Sequence, residues 1–187
     1  MSLLSRNVNE AAATLQSLLA LEAEVERAAE LIAGALAQGR KLLTCGNGGS
    51  AADAMHLATE MVVRFDQDRR PYPALCLATS GGDLTAIAND YAFAEVFARQ
   101  VEAFGQPDDV LVALSTSGRS ENVRRALEVA RGKQLRTIAL LGKDGGPTKG
   151  LAEVELLVAS ASTARIQEAQ KLLIHTVCER IEERLRV

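Results

Sequence analysis

Two histidines and a glutamate carry the most suggestive chemistry in this chain. His56 and Glu60 stand four residues apart in "SAADAMHLATEMVVRF". That spacing lets two side chains on one helical face reach a single ion or substrate. At about 100° per residue, Asp53, Glu60 and Arg64 fall on the side of His56, and Ala54, Met61, Val62 and Phe65 near the opposite side. The bland alternative is a solvated His–Glu–Arg ladder. His175 sits in "KLLIHTV", where the apolar run makes it look like a packing residue. The helical wheel says otherwise. Ile166, Leu173, Val177 and Ile181 share the apolar face, whereas His175 falls in the sector of Glu168, Lys171, Glu179 and Glu182, with Leu172 beside it and Gln167 at the edge. By periodicity alone, His175 is either solvated or faces a site.

Two loops add hydroxyls and glycines. "STSGRSEN" crowds Ser115, Thr116, Ser117 and Ser120 around Gly118, where a strand turns into a helix. Hydroxyl donors plus the free N–H groups of a helix start make an anion site without a fixed cation. Ordinary N-capping explains one serine well and four poorly. No Walker lysine follows, which favours a sugar phosphate over a nucleotide. "CGNGGSAAD" satisfies G-x-G-x-x-A through Gly46, Gly48 and Ala51. The acidic residue that would confirm a dinucleotide site is missing, because the second strand ends near Thr79 in "TSGGD". A tight turn accounts for the glycines but not for Asn47 and Ser50.

The elements that must position these residues are legible in the pattern. Apolar runs at 41–45, 74–79, 110–115, 137–142 and 154–159 alternate with helical stretches. This predicts an α/β three-layer sandwich around a five-stranded parallel sheet with right-handed crossovers. Ligands then lie beyond the carboxyl ends of the strands, where the glycine loop, "TSGGDLTAIAND" and the serine loop fall. Residues 4–38 keep helical spacing up to Gly39, and unbroken they would span about 50 Å. Such a segment breaks near its middle or packs against another subunit, and oligomer packing of residues 1–38 is the favoured expectation.

Composition bounds the rest. The 187 residues suit one domain, 1–187, with 48% hydrophobic residues, 24% charged residues and a net charge of −3. No basic stripe with interleaved aromatics points to nucleic acid. No apolar run reaches the length of a membrane span, and no leader pattern opens the chain. Cys45, Cys76 and Cys178 form neither a disulfide framework nor a zinc knuckle. A cytoplasmic enzyme is the expectation.

Four segments, "CGNGGSAADAMHLATE", "LTAIANDYAF", "ALSTSGRSENV" and "TARIQEAQKLLIHTVCERIE", together resemble the phosphoheptose isomerases of the sugar-isomerase (SIS) domain superfamily. The likeness runs in order over nearly the whole chain. It implies a flavodoxin-like SIS fold and an aldose–ketose isomerase converting D-sedoheptulose 7-phosphate to D-glycero-D-manno-heptose 7-phosphate, the first step toward nucleotide-activated heptose for lipopolysaccharide or another glycan. Glu60 would be the general base and His175 the general acid, working through an enediol. One zinc per subunit would be held by His56, Glu60, Gln167 and His175. Gln167 and His175 are about 12 Å apart along one helix axis, so their side chains must converge or neighbouring subunits must contribute. The resemblance also places Asn47, Gly48, Gly49, Glu60, Asn89, Asp90 and Gln167 along the sugar and Ser115, Thr116, Ser117 and Ser120 at the phosphate. It implies a homotetramer with sites at subunit interfaces.

Two rivals stand beside this. A non-catalytic relative of the family binds the bacterial replication initiator, but there the glutamate and the C-terminal histidine are replaced, and both are present here. Another sugar-phosphate isomerase or sensing domain would share the fold.

Overall fold

The computed structural model describes residues 1–185. The chain runs α1 (Leu3–Ser17), α2 (Glu22–Ala37), β1 (Leu42–Cys45), α3 (Gly49–Val62), β2 (Ala74–Cys76), α4 (Gly81–Asp90), α5 (Ala98–Phe104), β3 (Val110–Ser115), α6 (Glu121–Gly132), β4 (Arg136–Gly142), β5 (Val154–Val158) and α7 (Thr163–Leu185). All strands pair in parallel, in the order β2-β1-β3-β4-β5. The α/β sandwich expected from the pattern is therefore the fold. Its topological switch point lies between β1 and β3.

Strand alternation sorts the core into two layers. Val110, Val112 and Leu114 of β3 face α2, α3 and α7, joining Ile32, Leu57 and Leu173. Leu111 and Ala113 face the other way, onto Val101 of α5 and Val123 and Leu127 of α6. Both faces of the sheet are covered, so the strands are almost continuously apolar. β3 is buried along its whole length.

Three local features go beyond the pattern, the first being a break that it anticipated. The N-terminal helical segment breaks at Leu18–Leu21, a 3-10 turn whose Leu18 is buried. α2 then buries Val25, Ala28, Ile32 and Leu36, while α1 buries no residue fully. α3 ends at Val62, so Arg64 lies beyond the helix and is not on the face of His56. Its guanidinium instead donates to the Asp66 carbonyl, and Val62 is left exposed at the end of α3. Glu182, which the wheel places in the polar sector with His175, is buried because the turn that follows α3 folds over it.

Candidate active site

The turn between β1 and α3 is built by steric necessity. A Cβ on Gly46 would stand 2.7 Å from the Ser50 carbonyl oxygen, so only glycine lets the helix start so close to the strand. A Cβ on Gly49 would lie 2.0 Å from Gln167 Nε2, so the amide of α7 occupies the space that a side chain would take. Asn47 is held by a reciprocal amide pair with Asn122, each Nδ2 donating to the other's Oδ1 at 2.9 Å. Asn122 lies in the first turn of α6, so this pair ties the glycine loop to the serine loop across the switch point. Sequence reasoning missed Asn122 as a partner, and its only signal was an amide just past a strand-to-helix turn.

In the serine loop, the buried Ser115 Oγ accepts from Gly118 N–H at 3.0 Å and stands 3.3 Å from Ser120 Oγ. Ser117 Oγ accepts from Arg119 N–H at 3.2 Å. Ser120 occupies the N-cap position of α6, yet its hydroxyl caps no helical N–H. Capping therefore does not explain this serine. Its hydroxyl and the half-buried Thr116 and Ser117 remain open to an anion at the helix start.

α3 and α7 run side by side in constant register. Gln167 lies against Gly49, Lys171 Nζ stands 2.6 Å from Asp53 Oδ1, and His175 Nε2 stands 3.0 Å from His56 Nε2. Further along, Glu182 holds the amides of Phe65, Asp66 and Gln67. His56 Nε2 is also 3.3 Å from Glu60 Oε1. The helical wheel's direction for His175 thus ends at α3, not in open solvent. Burial, then the charges of His56 and Lys171, push His175 below the ordinary imidazole range against the pull of Glu60 and Asp53. The shift favours the uncharged imidazole, which can still offer an N–H.

His56 thus stands between His175 and Glu60, and three of the four expected metal ligands come together. The donor types suit zinc, and separations of 3.0 and 3.3 Å from one imidazole nitrogen are near the edge of about 3.3 Å for a tetrahedron with bonds of about 2.0–2.1 Å. Among the described residues, no three His, Cys, Asp or Glu side chains form a ready-made metal cage. Gln167 sits at the glycine loop, two turns away from His175 on the same helix.

The substrate residues expected from the sequence thus fall in separate places. Asn47, Gly48, Gly49, Gln167 and the serine loop gather at the switch point. Glu60 lies eleven residues along α3 from Gly49, about 16 Å down the helix axis. Asn89 and Asp90 end α4, where both are exposed and Asn89 Nδ2 donates to Asp90 Oδ1 at 2.8 Å.

The parallel sheet of this order carries a hydroxyl-rich turn at its switch point, and the class is that of a sugar-isomerase domain, since residues 7–142 match the family model described as SIS domain. Over 174 residues the chain is 52% identical to the phosphoheptose isomerase of Geobacter sulfurreducens, covering 91% of this chain and 92% of that protein. It superposes on the structure of the Neisseria gonorrhoeae phosphoheptose isomerase with a TM-score of 0.89 and 42% identity, covering 96% and 97% of the two chains. The Francisella tularensis phosphoheptose isomerase gives the same TM-score at 33% identity, covering 98% and 100%. The chain belongs to the phosphoheptose isomerase family.

Proposed function

We propose that this chain interconverts D-sedoheptulose 7-phosphate and D-glycero-D-manno-heptose 7-phosphate, opening the route to nucleotide-activated heptose. The observation that carries the reading is the contact of His175 with the His56–Glu60 pair. Glu60 takes the proton from the carbon next to the carbonyl of the open-chain sugar. His175 gives an N–H proton to the carbonyl oxygen, so an enediol forms; Glu60 then returns its proton to the neighbouring carbon while the other enediol hydroxyl gives its proton back to His175, leaving the isomer. Asn47, Gly48, Gly49, Asn89, Asp90 and Gln167 hold the sugar hydroxyls, and Ser115, Thr116, Ser117 and Ser120 hold the phosphate. Zinc, held by His56, Glu60 and His175, would supply positive charge near the developing enediolate, and Gln167, about 12 Å along α7 from His175, would join that set only from a neighbouring subunit. Incubation with sedoheptulose 7-phosphate should yield the aldoheptose 7-phosphate. Glu60→Gln and His175→Gln should each abolish turnover in a folded protein, and full activity in either sinks the assignment.

The working unit is a homotetramer with sites shared between subunits. In support, one chain holds its anion turn and its acid–base cluster about three helical turns apart. α1 also exposes Leu3, Leu4 and Val8. A mixing experiment tests this. Glu60→Gln and Ser120→Asp subunits, each inactive alone, should regain activity when unfolded and reassembled together, and failure to complement argues for sites within one chain. The three free, buried cysteines suit a reducing compartment, so we place the enzyme in the cytoplasm. No helix among the described residues is long and apolar enough to cross a membrane.

A further inference from the structure

Glu182 lies seven residues beyond His175 on α7 and is only 4% exposed. Its carboxylate accepts N–H groups from Phe65 at 2.8 Å and from Asp66 and Gln67 at 3.0 Å, and a fourth from Arg69 Nε at 3.0 Å. Arg69 does not stop there. Its Nη2 donates to the main-chain oxygen of Glu60 at 2.6 Å and its Nη1 to that of Met61 at 2.9 Å. These are carbonyls of the last turn of α3, which lack helical partners of their own. Two hydrogen bonds therefore connect the backbone of Glu60 to α7. The same carboxylate fixes the amide of Phe65, whose ring centroid lies 5.7 Å from that of His175.

A buried ion pair is a poor device for stability alone, since well-packed apolar residues often serve as well or better. Here the charge-assisted bonds have defined directions and tie down the end of the helix that carries Glu60. Burial raises the carboxyl, but the three amides and Arg69 outweigh it and hold Glu182 below the usual carboxylate range. The group is thus ionised at neutral pH, and it touches neither Glu60's side chain nor His175.

We propose that Glu182 is a positioning residue for the isomerisation, holding Glu60 of α3 in register with His175 of α7 through Arg69 and the Phe65–Gln67 turn. This rests on the acid–base roles given above. The test measures kcat, KM and melting temperature on the assembled enzyme with sedoheptulose 7-phosphate. Glu182→Gln should lower kcat by about 10-fold to 100-fold, the scale of a small misplacement of reacting groups, while KM changes little because the phosphate turn lies elsewhere. Arg69→Lys keeps the charge but loses the fork, and should reproduce the kcat loss. The double variant should be no slower than the slower single one, since the two residues act as one connection. A wild-type kcat in both folded variants, or a lowered melting temperature without a kcat change, overturns the proposal. Should Glu182→Gln fail to fold, Arg69→Lys decides alone. Glu60→Gln run in parallel separates the failures. Turnover surviving in it removes the acid–base reading and this proposal together, whereas its loss beside an unaffected Glu182→Gln removes only the positioning role.

Discussion

His56 and His175, 119 residues apart in sequence, meet through their Nε2 atoms at 3.0 Å. A second proton on this pair would set two like charges against each other, which is why His56 follows burial among the causes that depress His175. The sign of the pH effect follows. An unfolded chain titrates this histidine near 6.5, the folded one lower. Between those values the unfolded state binds more protons, so this group's contribution to stability falls as pH falls below about 6.5. Melting temperature against pH should therefore slope less in His175→Gln than in the parent over that window. Identical slopes would show that the contact does not shift the imidazole.

Zinc should bind where the nitrogen and carboxylate donors meet. Added to metal-free protein at a hundred times its dissociation constant, it should stabilise the fold by about 2.7 kcal/mol. His56→Ala, which removes the ligand common to both contacts, should abolish that rise. A melting temperature indifferent to zinc in the parent removes the metal from the site.

Gly49→Ala tests the contact with Gln167. The new methyl would meet the far end of a flexible side chain, 2.0 Å from its Nε2, so the amide should swing aside at a folding cost of about 1 kcal/mol. Substrate affinity should suffer more, as a raised KM. Unchanged kinetics would show that Gln167 does no work from its place at the glycine loop.

Ser120→Ala separates capping from binding. Loss of a working N-cap costs about 1 kcal/mol. Ser120 makes no capping bond, so thermal or denaturant unfolding should register less than about 0.5 kcal/mol. KM for the sugar phosphate should rise several-fold. A full capping penalty with unaltered KM would return the serine to an ordinary structural role.

Much of this molecule was legible in one dimension. Each strand falls within two or three residues of its apolar run, because a strand buried on both faces must be apolar nearly throughout. The glycine turn was legible because a strand-to-helix turn at the end of a parallel strand needs glycine there, and the serine turn because capping alone does not account for four hydroxyls. Glu182 shows where periodicity stops. The wheel placed it on a polar face beside His175, and that face is polar, but it is covered by the turn that follows α3.

The sequence by itself therefore determined the sheet, its loops and the direction in which His175 points, since periods of two and 3.6 residues follow from local backbone geometry. Only the tertiary structure decided what His175 meets. The register of α7 against α3 is set by packing between helices more than a hundred residues apart in sequence. It brings His175 to His56 and Glu60, leaves Gln167 at Gly49, and turns Glu182 from a surface charge into a buried connection. No local pattern encodes that register, because it arises from how two apolar faces fit together over one sheet.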